Sequence, residues 1–120
     1  MNINDISRQI ERVTKNEDVG SWMQVMSPIT VEPIPGARIL LRGMHAPDVQ
    51  QFIIDSKLRE IPDTEYIPAA VSLATIAVEG IDVDGDPVTP ENIGDVYAKN
   101  EWLLVQAINH FHRRPNYLGE

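Results

Sequence analysis

Acidic side chains cluster in the stretch GIDVDGDPVTPENI, where their types and spacing could bind a metal ion. An EF-hand calcium loop needs oxygen ligands at positions 1, 3 and 5, a glycine at position 6 and a bidentate glutamate at position 12. Counting from Asp82 puts Asp82, Asp84 and Asp86 at the first three of these positions. The same count puts Pro87 at position 6 and Ile93 at position 12, so both residues that close the loop are missing. We therefore expect an acidic turn, with weak calcium binding by the three aspartates left open.

Other catalytic and metal-binding patterns are incomplete. Gly80 and Gly85 have the spacing of the two P-loop glycines, but Asp86 and Pro87 stand where that motif needs a lysine and a serine or threonine. The three histidines lack the spacing of metal ligands on one helix face, and the chain has no cysteine. No nucleophile elbow or dinucleotide-binding fingerprint is present. We therefore expect a protein that is not an enzyme and needs no metal or other cofactor.

Length and composition are typical of one small domain. The chain has 120 residues, of which 42% are hydrophobic and 23% charged, enough for one core and too few for two ordinary domains. The first residues contain no apolar segment of signal-peptide length, and no stretch approaches the roughly 20 apolar residues of a membrane span. We expect a soluble protein that is not exported and does not contact membranes.

The formal net charge of −8 is unevenly distributed. Residues 60–101 carry ten acidic side chains against the single Lys99. Such a surface repels phosphate backbones, so we expect no nucleic-acid partner. The acidic residues form either a solvated face or a docking surface for another protein, and the sequence leaves both interpretations open.

The first third of the chain predicts a helix, a connection and a hairpin. Ile6, Ile10 and Val13 recur at helical spacing. The following EDVGSWMQVMSP is interpreted as a connection whose apolar residues cover a core edge or contact a neighbouring chain. In ITVEPIPGARILLRGM, β-branched and apolar residues flank Pro35-Gly36, a pair suited to a type II turn. This segment therefore predicts a β-hairpin.

The middle of the chain predicts two helices. PDVQQFIIDSKLREI has one apolar stripe that includes Ile53 and another that includes Ile54 and Leu58. This helix is either packed between two other elements, or it uses one stripe for the core and one for another chain. The next run, YIPAAVSLATIAV, is hydrophobic nearly all round and predicts a core helix that ends at Glu79-Gly80, with a buried strand as the alternative.

The last long segment predicts a helix whose core face is interrupted by Asn100, so that either Gly94 or Asn100 kinks or splits it. Trp102 and Val105 project away from that core face. A tryptophan off the core stripe is a common interface anchor, but tryptophan is also highly buried on average, so coverage by another element is the alternative. The predicted partner-binding residues are therefore Trp102, Val105, Ile54 and Leu58.

Together these elements predict an α+β fold, a small single domain in which a β-hairpin packs with about four α-helices. The chain divides into an N-terminal helix and connection (1–27), an α+β domain (28–114) and a C-terminal tail (115–120).

The order of motifs over residues 28–112 has a counterpart in a known family. The hairpin ITVEPIPGARILLRGM is followed by the helix PDVQQFIIDSK, the alanine-rich AAVSLATIAVEGIDVDGDPVT and the closing WLLVQAINHF. The most specific part is the apolar segment that runs into a D-x-D-G turn and then into a capped helix. In this order the chain resembles the tail assembly chaperones of long-tailed bacteriophages.

The resemblance implies a non-enzymatic protein that coats the long, aggregation-prone tape measure protein and helps to recruit tail tube subunits. It also implies self-association, presence in the host cell cytoplasm and absence from the mature virion. A structural tail-completion or baseplate-associated virion protein is the alternative. A calcium-responsive module and an acidic mimic of nucleic acid are further alternatives.

Overall fold

The structure is a computed structural model that describes residues 1–119. Over these residues it contains α1 (Ile3–Val19), α2 (Pro47–Leu58), α3 (Asp63–Ala74), α4 (Ile93–Lys99), α5 (Glu101–His112) and a short 3₁₀ helix (Arg114–Tyr117). The strands are β1 (Ser21–Met26), β2 (Pro33–Leu41), β3 (Thr75–Glu79), β4 (Asp82–Val83) and β5 (Asp86–Pro87). The α+β prediction is confirmed. Within this part of the chain, no helix has both the length and the hydropathy of a membrane span.

Strands β1, β2 and β3 form an antiparallel sheet in that order, and one face of it packs against helices. Along β2, Ile39 and Leu41 are fully buried while Arg38 is exposed, which is the alternation expected of a strand with one core face. The buried cluster joins this face to α3 through Val71 and to α5 through Leu103. The core therefore lies between the sheet and the helices, in a two-layer arrangement.

The hairpin differs from the predicted one. Residues 33–41 form one strand that runs through Pro35 and Gly36, and it pairs with residues 21–26. Residues 21–26 therefore form a strand, and the prediction of a connection over them was wrong. The predicted boundary after residue 27 does not separate the N-terminal segment from the α+β domain, because β1 and β2 pair across it. The chain turns at residues 27–32 instead, where the Ser27 N–H donates to the Glu32 carbonyl at 2.8 Å.

Pro35-Gly36 belongs to a bulge in β2. Gln24 pairs with Arg38 whereas Met26 pairs with Pro33, so β2 has extra residues between these two pairs. Prolines lack the N–H that a regular ladder needs, which favours an irregular pairing here. The Gln24 side-chain amide fills the gap by donating to the carbonyls of Ile34 at 2.8 Å and Ala37 at 3.0 Å.

The apolar run in the middle of the chain is a helix followed by a strand. α3 ends at Ala74, and the residues from Thr75 to Glu79 form β3, so the prediction of a helix up to Glu79-Gly80 was wrong. At the junction the Thr75 hydroxyl donates to the Val71 carbonyl at 2.9 Å and lies 3.0 Å from the Tyr97 hydroxyl. Burial raises the pKa of Tyr97 to about 12. Residues 75–79 pair with β2 as a strand, although the apolar pattern of the run favoured a helix. Both α3 and β3 contribute side chains to the core.

The interruption of the last helix at Asn100 is confirmed. α4 ends at Lys99, α5 begins at Glu101, and the Asn100 side chain donates to the Val96 carbonyl at 2.9 Å. The predicted core face is buried on both helices, with members such as Tyr97 and Leu103. On α5, the Gln106 side chain accepts from the Met26 N–H at 2.9 Å and donates to the Met26 carbonyl at 2.8 Å, so it satisfies part of the edge of β1.

Helix α1 is anchored at its C-terminal end. Residues 1–12 are all exposed, whereas Glu17 is completely buried. One oxygen of the Glu17 carboxylate accepts from the Arg114 Nε at 2.7 Å. The other accepts from the His45 backbone N–H at 2.9 Å and lies 3.1 Å from the His45 Nδ1. This cluster ties α1 to the loop before α2 and to the 3₁₀ helix.

The segment predicted as a C-terminal tail is partly packed into the domain. Tyr117 is buried, and its hydroxyl donates to the Leu41 carbonyl at 3.2 Å. Burial, together with the nearby Glu17 carboxylate, raises the pKa of Tyr117. The prediction of a tail starting at residue 115 was therefore wrong for residues up to Tyr117.

His110 makes the stability of the fold depend on pH. Its ring packs edge-on against Tyr117 with centroids 5.8 Å apart, and its Nε2 is buried with no hydrogen-bond partner among the described residues. Burial lowers the pKa of His110, so the unfolded chain takes up this proton at a higher pH than the folded one. We expect the free energy of unfolding to fall as the pH drops from about 7 to about 5.

Urea unfolding at several pH values measures this effect. The variant His110→Gln should lose part of the pH dependence, whereas His112→Gln, at an exposed position of the same helix, should keep the wild-type dependence. Identical pH dependence in the wild type and His110→Gln would contradict the prediction.

Candidate functional site

The four predicted partner-binding residues lie outside the core on two different helices. On α5, Trp102 is 39% exposed and Val105 46% exposed. On α2, Ile54 is 44% exposed and Leu58 77% exposed. Exposure of these apolar side chains agrees with the helical projections, and partner binding by them stays a prediction.

Trp102 forms one wall of an apolar cleft of about 240 Å³. The other walls include Ile34 of β2, Ile81 and Val83 around the start of β4, and Val96 of α4. The cleft therefore explains the intermediate exposure of Trp102, because neighbouring elements cover only part of the indole. A concave apolar surface with an exposed tryptophan has the features of a protein-binding hot spot.

An acidic hairpin borders the cleft. Asp84 and Gly85 both have positive φ, +52° and +89°, as the two central residues of a type I′ turn require, and they connect β4 to β5. The predicted chain reversal at Asp84-Gly85 is thus confirmed. Asp82 lines the cleft directly, and Asp86 lies on the paired strand. The site combines an apolar floor with a negatively charged rim.

The acidic residues support the turn instead of surrounding a cavity for an ion. The Asp82 carboxylate accepts a hydrogen bond from the Gly85 N–H at 2.9 Å. Within residues 1–119, no group of three or more histidine, aspartate or glutamate side chains is arranged to hold a metal ion. None of Asp82, Asp84 and Asp86 forms a salt bridge in this part of the chain, so their charges face solvent.

Ile54 and Leu58 form a separate surface. They lie one helical turn apart on the exposed side of α2, whereas Val49 and Ile53 on the other side are buried in the core. The interpretation of α2 as a helix with both stripes packed inside the fold is therefore wrong. No residue of α2 lines the Trp102 cleft, so the structure does not bring the four predicted residues into one site.

Several residues of these surfaces were not predicted from the sequence. Ile81 and Val83 were assigned only to an acidic connection, although they flank Trp102. Trp22 on β1 is also exposed, on the sheet face away from the helices, with the Arg38 guanidinium 3.9 Å from its ring centroid. The alternation of exposed Trp22 with buried Met23 was the available signal, but the segment had been interpreted as a connection.

An ion pair beside Trp22 holds this outer sheet face in place. The Arg38 Nε donates to the Glu79 carboxylate at 2.7 Å across the pairing of β2 with β3. Hydrogen bonding to Arg38 lowers the pKa of Glu79. Both side chains are about half exposed, so the pair orients Arg38 over the indole and adds little to stability.

No protein-family model, no curated protein and no solved structure matches the chain.

Proposed function

We propose that this protein is a tail assembly chaperone of a long-tailed bacteriophage, a non-enzymatic protein that binds the tape measure protein in the host cell cytoplasm and assists tail tube assembly. The observation that supports this best is the Trp102 cleft, which is lined mainly by apolar side chains and by Asp82, with Asp84 and Asp86 on the same hairpin. None of these three carboxylates has a salt-bridge partner among residues 1–119. The resemblance of residues 28–112 to that family supplies the identity of the partner.

The chemistry of the cleft favours a particular kind of peptide. A volume of about 240 Å³ accommodates one or two large apolar side chains. The adjacent Asp82, Asp84 and Asp86 favour lysine or arginine next to that apolar anchor. A long chain with repeated apolar and basic residues could therefore engage many copies of this protein, each through one cleft.

Ile54 and Leu58 provide a second exposed apolar surface, which does not line the cleft. Two separate surfaces suit a protein that holds an extended partner and also recruits a second component, such as a tail tube subunit. The ten acidic side chains of residues 60–101 would keep such an assembly charged and dispersed.

Replacing Trp102 by aspartate should weaken binding of the partner by at least about tenfold, because a charge would enter the apolar cleft. The loss of binding should exceed the loss of thermal stability, since Trp102 is 39% exposed and lies off the core face of α5. Leu58→Asp should act in the same way if the second surface also binds. The measurement is binding of a fragment of the long helical protein encoded immediately downstream, together with thermal melts.

Asn109→Asp is a matched control, because it adds the same charge at an exposed position of α5 that does not line the cleft. It should bind like the wild type. Unchanged binding by Trp102→Asp would contradict the role of the cleft. A large loss of thermal stability with assembly intact would show that the substituted side chain is part of the core.

The alternative, a structural tail-completion or baseplate-associated protein, predicts a different location. Mass spectrometry of purified particles should detect little of this protein in mature virions if it is a chaperone. Abundant protein in the virion would contradict the proposal and favour the alternative. An overlapping downstream reading frame preceded by a slippery heptanucleotide, and then a very long helical open reading frame, would support the chaperone.

A further inference from the structure

Helix α1 has an apolar stripe that no other part of the described chain covers. Ile3, Ile6 and Ile10 are 69%, 43% and 48% exposed, and the next member of the stripe, Val13, is buried against the 3₁₀ helix. The spacing alternates between three and four residues, which is the repeat of a coiled-coil seam. An isolated helix gains nothing from exposing three isoleucines along one line, so this stripe has the features of an interface.

The charges of α1 lie away from this stripe. The side chains that flank Ile6 and Ile10, those of Ser7 and Gln9, are uncharged. The charged residues of the exposed part of the helix lie on the other side; they are Asp5, Arg8, Glu11 and Arg12. Two identical copies of α1 can therefore pack along the stripe without placing like charges at the edges of the seam. The stripe with its uncharged flanks is therefore compatible with itself, which favours a second copy of the chain as the occupant.

The stripe continues into a groove at the anchored end of α1. The groove, of about 280 Å³, lies between α1 and residues 114–118. It is lined by the apolar Ile10, Val13, Pro115 and Leu118 and by the polar side chains of Gln9 and Arg114. An antiparallel partner helix would place its own Ile3 over this groove. A parallel partner would leave the groove empty and would bring two domains of formal charge −8 to the same end.

The residue numbers fit an antiparallel pair with two-fold symmetry. With position 8 at the centre, Ile6 faces Ile10 of the second copy, and Ile3 faces the second copy's groove, at whose base Val13 is buried. The two-fold symmetry repeats both layers. These four layers extend over about 15 Å of helix, since each residue adds about 1.5 Å. We propose that the protein forms an antiparallel homodimer through the Ile3, Ile6 and Ile10 stripe of α1.

This interface is distinct from the Trp102 cleft and does not depend on the identity of any other partner. The contact area of one short helix is smaller than a standard protein interface, so the dimer should form at micromolar concentrations instead of being permanent. Sedimentation velocity of the full 120-residue protein between about 1 and about 200 μM should therefore show a shift from monomer to dimer.

The variant Ile6→Glu should raise the dissociation constant at least about tenfold, because symmetry places the new charge in two layers of the seam. Its thermal melt at low concentration should match that of the wild type, since Ile6 is exposed in the monomer. Asn4→Glu, which adds the same charge on the other side of the same helix, should dimerise like the wild type. A wild type that stays monomeric, or a dimer that Ile6→Glu leaves intact, would overturn the proposal.

Disulfide formation tests the helix orientation and does not depend on how Ile6→Glu folds. The chain has no cysteine, so introduced cysteines are unique. An oxidised equimolar mixture of Ile6→Cys and Ile10→Cys, one of them carrying a short tag, should form mainly the mixed disulfide. Predominance of the two unmixed disulfides would show a parallel arrangement and would overturn the antiparallel dimer.

Discussion

Replacing Glu17 by alanine should lower the free energy of unfolding by about 2–3 kcal/mol, because it removes hydrogen bonds to a buried carboxylate, while Arg114 and His45 are about one-third exposed and stay partly hydrated. The variant would leave the Arg114 guanidinium and the His45 backbone N–H without the carboxylate oxygens that they contact at 2.7 and 2.9 Å. It would also open a cavity at a position where the glutamate side chain is only 1% exposed. This loss is a large fraction of the total stability of a small domain, which is about 5–15 kcal/mol.

Urea unfolding checks this result, and hydrogen exchange shows where the loss acts. Exchange of the α1 amides should accelerate more than exchange of the β2 amides, because the Glu17 cluster anchors α1. Glu11→Ala, at an exposed position of the same helix, should change stability by at most about 0.5 kcal/mol. Glu17→Gln keeps the side-chain volume and removes the charge, so its loss of unfolding free energy should lie between those of Glu11→Ala and Glu17→Ala. A cost below about 1 kcal/mol for Glu17→Ala would contradict the anchoring role.

Replacing Gly80 by alanine should cost about 3–4 kcal/mol, because two effects add. Gly80 has a φ of +70°, a conformation that side chains with a Cβ rarely adopt. A Cβ there would also overlap the carbonyl oxygen of Gly36 and would lie 2.7 Å from its carbonyl carbon. Both are backbone atoms of the bulge in β2, so relief of the overlap requires the pairing of β2 with β3 to shift.

Gly85 is the matched control, since its φ is +89° but a Cβ added there would meet no atom within 4 Å. Gly85→Ala should therefore cost only the backbone strain, about 1–2 kcal/mol. The difference between the two losses of unfolding free energy measures the cost of the overlap between the new Cβ at position 80 and the bulge in β2. Equal losses of unfolding free energy for Gly80→Ala and Gly85→Ala would show that this approach is unimportant.

Gly80 illustrates why the boundaries of elements were harder to predict than their existence. A glycine after a long apolar run is a common helix stop, and the sequence predicted that role for Gly80. In the structure it follows strand β3, and it is required because the backbone of β2 passes close to it. The contact joins residues that are 44 positions apart, as the numbers 36 and 80 show, so no local pattern encodes it.

The candidate site was predictable in part. The projection of α5 correctly placed Trp102 and Val105 off the core face, because helical periodicity depends only on local geometry. The composition of the cleft was not predictable, since Ile34, Val83 and Val96 come from three elements distant in sequence. Its acidic rim was recognised as an acidic turn, but its position beside Trp102 depends on how β4 and β5 pack against α4 and α5.

Glu17 shows a different reason for a missed residue. It continues the stripe of Ile10 and Val13 by one more turn, and a glutamate at an apolar position of a helix is the signal that could have identified a buried charge. Its partners, His45 and Arg114, lie in separate parts of the chain. Only the tertiary structure shows that these three residues meet.

The sequence by itself determined the α+β class, the existence of α1, α2, α4 and α5, a break in the last helical segment and the Asp84-Gly85 turn. These features depend on periodicity, capping and turn chemistry, which act over a few residues. The tertiary structure decided the partner strand of β2, the switch from α3 to β3, the burial of Glu17 and Tyr117, and the cleft beside Trp102. Each of these depends on contacts between distant segments, whose free energy outweighs local preference and leaves no periodic trace in the sequence.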